Sequence, residues 1–424
     1  MVGWKYDFWV DYLPRVADAE LERRLSRAGA VLIEGAKGCG KTRTATRAAK
    51  SVLHVDTDLN VEPTMLIDPT LLLEGATPRL LDEWQWQPRL WDYVRHDVDD
   101  RQQPGQYILT GSATPNDDVR RHSGAGRFSA LRMRPMSLWE SGDSSGSVSW
   151  HDLRGGSSVR VAAEDWPIRQ IAQTVVRGGW PATIGQGIED SQAYVLDYLD
   201  LLAEADISRV DGVKRDPVRV RRLLASLGRN CATTASLATL VADVNSAGGS
   251  LGRDTAASYI NALERLMIVE DQPAWKTALR DSATLRQAPK HHLVCPSLAA
   301  AALGATADKL IREPKTLGLL FESLAVRDLR VYSSVHRGKV YHYRDSRGRE
   351  IDAIVEYPDG WMAVEIKLGV GSVDAACDNL LRVVSTIDTR TVGEPDALVV
   401  VSGGGVAYKR PDGVAVVPLN MLRP

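Results

Sequence analysis

Apolar residues follow two main rhythms along this chain. Short unbroken runs, Val31-Leu32-Ile33, Ser51 to Asp56, Tyr107 to Ser112 and Ala397 to Val401, predict strands, the first and third of them buried and the third in a parallel α/β sheet. Spacings of three and four predict helices. They place one over Ala19 to Arg27 with Leu21 and Leu25 a turn apart, and a helical region over 165–207 with a strong apolar face at Tyr194 to Leu202. Further on, Ser236 to Val244 forms a helix, Gly248 to Gly252 a turn, and Asp254 caps a helix that turns Ala256, Ile260, Leu263 and Met267 inward. Ile268-Val269-Glu270 follows as a wing-like strand. Two apolar strands flanking Pro358-Asp359-Gly360 predict a hairpin. The chain is therefore α/β and multidomain.

Length adds a count. At 424 residues the chain exceeds one core and suggests about three domains. Glycines and serines dominate Ser141 to Ser158, a linker composition that sets the first boundary. The expected division is 1–150, 151–208, 209–300 and 301–424.

Charge narrows the partners. Net charge is −2, so contact with nucleic acid would need a local patch. Cys39, Cys231, Cys295 and Cys377 lie far apart with no C-x-x-C pair, which argues against a zinc knuckle or a disulfide framework and suits the cytoplasm. The aromatic N-terminus is interrupted by charges and is not a signal peptide, and no apolar run reaches about 18 residues, so no membrane partner is expected.

One stretch carries chemistry on its face. Gly35-Ala36-Lys37-Gly38-Cys39-Gly40-Lys41-Thr42 satisfies G-x-x-x-x-G-K-[ST], between the strand at Val31 and an alanine-rich helix. Its glycines let backbone N–H groups turn around an anion, and the helix start adds its positive end. Lys41 then reaches the β- and γ-phosphates, and the Thr42 hydroxyl ligates Mg²⁺. ATP and Mg²⁺ are the expected cofactors. Leu80-Leu81 leads into Asp82, which would hold Mg²⁺ through water, and Glu83, which would orient and deprotonate the attacking water. Thr110 and Ser112, at the end of a strand, are the candidate γ-phosphate sensors. Arg127, in a glycine setting, is the candidate for transition-state charge, from the same chain or from a neighbouring subunit; a surface arginine is the plain alternative. Arg15 reads as a solvated or structural arginine, with contact to the nucleotide as the alternative.

The order of P-loop, Asp82-Glu83-x-Gln85-x-x-Pro88, Thr110-Gly111-Ser112, Ala125-Gly126-Arg127 and Pro135 to Glu140 resembles a prokaryotic family of AAA-type ATP-binding proteins. The likeness covers nearly the whole chain. It implies a helical lid, a winged-helix module and an uncharacterised C-terminal domain of nuclease-like fold. Family members often show Asp where Cys295 stands.

Two further features bear on nucleic acid. Arg209, Lys214, Arg215, Arg219, Arg221, Arg222 and Arg229 face only Asp211 and Asp216, a run that is usually a solvated helix face and that gains interest from the winged helix after it. In the hairpin, taking Pro358-Asp359 as the loop sets Asp352 opposite Glu365, with Lys367 on the Glu365 face. Asp…Glu-x-Lys is the core of the PD-(D/E)xK nuclease fold, in which carboxylates hold Mg²⁺ and the lysine helps activate water. Glu322 is the expected upstream acid, so Glu322, Asp352 and Glu365 form the candidate second Mg²⁺ site. His291 and His292 lack partners at ligand spacing and read as structural. DNA and a second copy of the chain are the macromolecular partners left open. The competing class is a nucleotide-gated interaction protein whose C-terminal site is inert.

Overall fold

The computed structural model describes residues 12–111, 124–246, 248–277 and 287–424. Five short strands, β1 (Ala30–Glu34), β2 (Ser51–His54), β3 (Arg79–Asp82), β4 (Tyr107–Gly111) and β5 (Phe128–Arg132), lie in the order β2-β3-β4-β1-β5. Every pairing among them is parallel. Such a sheet must be covered on both faces, which is why β4 is buried along its whole length. The loop after β1 and the acids after β3 therefore share one edge, the carboxyl ends of the strands.

The C-terminal part is a mixed sheet. It contains β7 (Arg160–Glu164), β8 (Lys339–Arg344), β9 (Glu350–Tyr357), β10 (Gly360–Lys367), β11 (Ala397–Ser402), β12 (Gly405–Lys409) and β13 (Ala415–Pro418), ordered β7-β12-β13-β11-β10-β9-β8. The hairpin register is as its loop requires, with Tyr357 opposite Gly360 and Val364 opposite Ala353. That carries Asp352 to the level of Glu365, and the Ile366 N–H donates to Asp352 Oδ2 at 2.9 Å.

The glycine and serine stretch is not a linker. Within it, β6 (Val148–Ser149) pairs in parallel with β14 (Leu422–Arg423), and buried Trp150 donates its indole N–H to Tyr357 Oη at 2.8 Å. β7, expected in the lid, is instead the edge strand of the C-terminal sheet, against β12. The boundary at 150 thus dissolves, because residues 141–164 spend their backbone on strands more than 200 residues away.

In the chain between β7 and β8 lie helices, including Ile168–Arg177, Ile188–Leu201, Pro217–Arg229, Leu237–Ser246 and Arg253–Arg265. An irregular antiparallel ribbon follows, with Val269 opposite Leu293 and Gln272 opposite Lys290. The helix Pro314–Ser334 is buried on nearly every side from Leu320 to Ser333. From Leu320 to Ser333 its charged residues are all engaged: Glu322 with Lys290, Arg327 with Asp328, and Arg330 with Glu270. No described helix is long and apolar enough to cross a membrane.

Candidate functional site

At the carboxyl edge of the first sheet, Gly38 (φ 77°) and Gly40 (φ 104°) take left-handed conformations that side chains resist. Space forbids side chains as well. A Cβ on Gly38 would come within 2.9 Å of Tyr194 Oη, and one on Gly40 within 3.0 Å of Arg15 Nη1. Arg15 is buried; it donates to Cys39 O (2.8 Å) and Arg134 O (2.7 Å) and pairs with Glu140 (3.0 Å). It braces the loop from behind, as its structural reading has it. The Lys41 ammonium donates to Gly35 O (2.8 Å) and Ala36 O (3.1 Å), inside the turn that the loop makes.

Parallel pairing of β3 between β2 and β4 brings Asp82 to the helix that starts at Lys41. Thr42 Oγ1 donates to Asp82 Oδ1 at 2.9 Å, and His54 Nδ1 lies 3.2 Å from Oδ2. His54 was not among the expected residues; its place at the end of β2, level with Asp82, was readable only from the sheet register. Thr110 is buried, donates to the same Asp82 oxygen, and accepts from the Glu83 N–H at 3.4 Å. Its hydroxyl thus holds the acids rather than standing free for a phosphate, which alters the sensor role expected of it. Ser112 lies outside the described residues. Glu83 adopts φ 54°, ψ 42°, and Gln85 Nε2 donates to its carboxylate.

Arg127 is a correction. Parallel register sets Phe128 beside Ala30 and Arg132 beside Glu34, so Arg127 sits at the amino edge of the sheet. Five residues of strand, roughly 16 Å, separate it from the level of the loop. There it forms a two-point pair with Asp99 at 2.7 and 3.1 Å. A same-chain role at the nucleotide does not survive this geometry.

A cleft of about 680 Å³ opens at the loop, lined among others by Lys37, Glu83 and exposed Trp86 on one side and by Tyr198, Arg209 and Ile268 on the other. Its far wall includes a π-helical turn, Leu202–Asp206, and Lys37 reaches Asp206 at 3.6 Å. Residues 27–141 match the AAA domain family. They are an AAA-type P-loop domain. Behind the AAA domain, residues 168–309 and 317–422 match two domains of unknown function, DUF8612 and DUF4143. An uncharacterized protein of Mycobacterium bovis and one of Mycobacterium tuberculosis are each 27% identical over 359 residues, covering 83% of this chain and 73% of their own length. A Walker-type ATPase of Pyrococcus abyssi covers 69% of this chain and 96% of its own, at 11% identity and a TM-score of 0.42.

The basic run beyond the AAA domain is largely neutralised. Arg215 pairs with Asp211, Arg219 with Asp216, Arg221 with Asp200 and Glu204, and Arg229 with Asp243. Arg222 donates to Gly248 O.

The C-terminal acids do converge. Lys367 Nζ lies 2.8 Å from both Asp352 Oδ2 and Glu365 Oε2, and Asn379 Nδ2 donates to Glu365 Oε1 at 2.8 Å. The fifth charged member was not expected: Lys290, from the ribbon, pairs with Glu322 at 2.7 Å. Burial and the Asp352 charge push Glu322 up to about 7 and Glu365 up to about 8. Burial also opposes ionisation of Asp352, but Lys290 and Lys367 prevail and hold it at about 2. His291 is held by Asp271 and Ala235 O, and His292 by Ser323 and Gln272, so both are structural. Cys295 Sγ accepts from Arg327 Nη1 at 3.8 Å, and Asp328 supplies that arginine with its carboxylate.

Proposed function

We propose that the chain hydrolyses ATP with Mg²⁺ at the 35–42 loop, and that the helical layer across the cleft reads the state of the nucleotide. The observation that carries this is the contact of Thr42 with Asp82, held by Thr110 beside Glu83. Thr42 and Asp82 would hold Mg²⁺, which neutralises charge on the terminal phosphates. Glu83 takes the proton of the attacking water, and Gln85 keeps its carboxylate in place. Lys41 exchanges two loop carbonyls for phosphate oxygens. The decisive test is ATP turnover in two variants. Lys41→Ala should abolish hydrolysis without loss of fold, and full activity there removes the assignment. Glu83→Gln should bind ATP and hydrolyse it slowly.

For the C-terminal part, nucleotide-gated interaction is favoured over cleavage of DNA. The arginines of 209–229 that would meet phosphates are mostly paired with acids nearby. Plasmid incubated with Mg²⁺ or Mn²⁺ should stay intact. Cleavage that disappears in both Asp352→Ala and Lys367→Ala would restore the nuclease reading.

A further inference from the structure

Three carboxylates and two ammoniums share the buried space between the helix Pro314–Ser334 and the hairpin β9–β10. Lys290 Nζ is within 2.7 Å of Glu322 Oε1 and 3.5 Å of Asp352 Oδ1, so it bridges the two acids that a shared metal ion would join. Lys367 bridges the other pair, Asp352 and Glu365, at 2.8 Å to each. The oxygen lone pairs that a cation needs are thus turned to N–H donors, including Ile366 N and Asn379 Nδ2. Among the described residues no group of three or more His, Cys, Asp or Glu is arranged to hold a metal ion.

Lys290 is not a surface side chain that has folded inward. It is 4% exposed, and its backbone exchanges both hydrogen bonds with Gln272, at 2.9 and 2.8 Å. Gln272 is fully buried, and its side-chain amide donates to Asp352 O (3.1 Å) and Tyr341 O (2.9 Å). The strand that carries the acid is therefore tied to the ribbon that carries the ammonium, and Lys290 cannot withdraw without parting them.

We propose that Lys290 is a built-in cation. Its ammonium holds the place between Glu322 and Asp352 that a divalent ion would take, and the cluster becomes a Mg²⁺ or Mn²⁺ site only when that ammonium is removed. Charge agrees with geometry. With all five groups ionised the cluster carries one negative charge; without Lys290 it carries two, which one divalent ion neutralises. This deepens the reading of the C-terminal part as chemically inert, and its test is independent of ATP turnover.

The experiment uses nucleotide-free full-length chain with Thr42→Ala in every arm, which removes the hydroxyl ligand at the ATP site. Each protein is titrated with Mn²⁺ and followed by calorimetry and thermal melting. Adding Lys290→Met should lower the melting temperature, as loss of one member of a buried ion pair does, and create one Mn²⁺ site that raises it again. That site should be at least tenfold tighter than any uptake by the parent, and should vanish when Asp352→Asn is added. A folded Lys290→Met protein that takes no Mn²⁺ overturns the proposal. So does a parent whose own Mn²⁺ uptake is abolished by Asp352→Asn alone. Should Lys290→Met not fold, that comparison of parent with Asp352→Asn still decides the matter, since uptake absent or unaffected by Asp352→Asn supports the built-in cation.

Discussion

Thr110 carries one hydroxyl and two duties: it donates to Asp82 and accepts from the Glu83 N–H. Thr110→Val keeps the shape and removes both bonds. Turnover should fall about 10- to 100-fold, the usual cost of losing a group that orients a catalytic shell, while ATP affinity changes far less. A drop in affinity that matches the drop in rate would return Thr110 to direct phosphate contact. Gly38→Ala is a backbone test, because its φ of 77° would cost an L-residue about 1–2 kcal/mol and the new methyl would meet Tyr194 Oη. Loop spacing made residues 35–42 legible, because that local pattern has few other uses. Arg127 was misread since a glycine-flanked arginine says nothing of which sheet edge it occupies. Lys290 escaped notice because its partners lie 32 and 62 positions away in the sequence.

At the scale of elements, the helix Pro217–Arg229 shows how a basic run can have little charge to offer. Arg221 and Arg229 meet acids on neighbouring segments, and exposed pairs of this kind contribute about 0–1 kcal/mol each. Replacing Arg219, Arg221 and Arg229 together by Gln should leave retention on duplex DNA at low salt unchanged; a clear loss would restore a DNA-binding face. The hairpin β9–β10 was legible down to its register, since a two-residue loop and period-two alternation fix every pairing. The stretch Ser141–Ser158 was not. Its small residues mean linker only when nothing pairs with them, and here a strand from the far end of the chain does.

Across the whole molecule, Glu270 is a junction. Arg134 from the end of the first sheet grips it at 2.6 Å, Arg132 stands at 3.5 Å, and Arg330 from the long helix stands at 3.6 Å. Burial alone would raise the Glu270 carboxyl, but the three arginines bring it well below the ordinary carboxylate range. Burial, opposed by Glu270 and reinforced by Arg134 and Arg132, lowers Arg330 to about 10. A depressed carboxyl contributes stability that is complete above its unfolded value of about 4.3 and fades as pH falls below it. Glu270→Ala should therefore cost about 3–5 kcal/mol at neutral pH, read from the urea midpoint. The gap between the variant and the natural chain should begin to narrow near pH 4 and close only as pH falls through the much lower folded value of Glu270. The cleft beside the ATP loop has a similar reach, since its walls come from residues as far apart as Lys37 and Ile268. If ATP binds there as proposed, it would act as a strut between distant segments, and loss of its last phosphoryl group would shorten the strut.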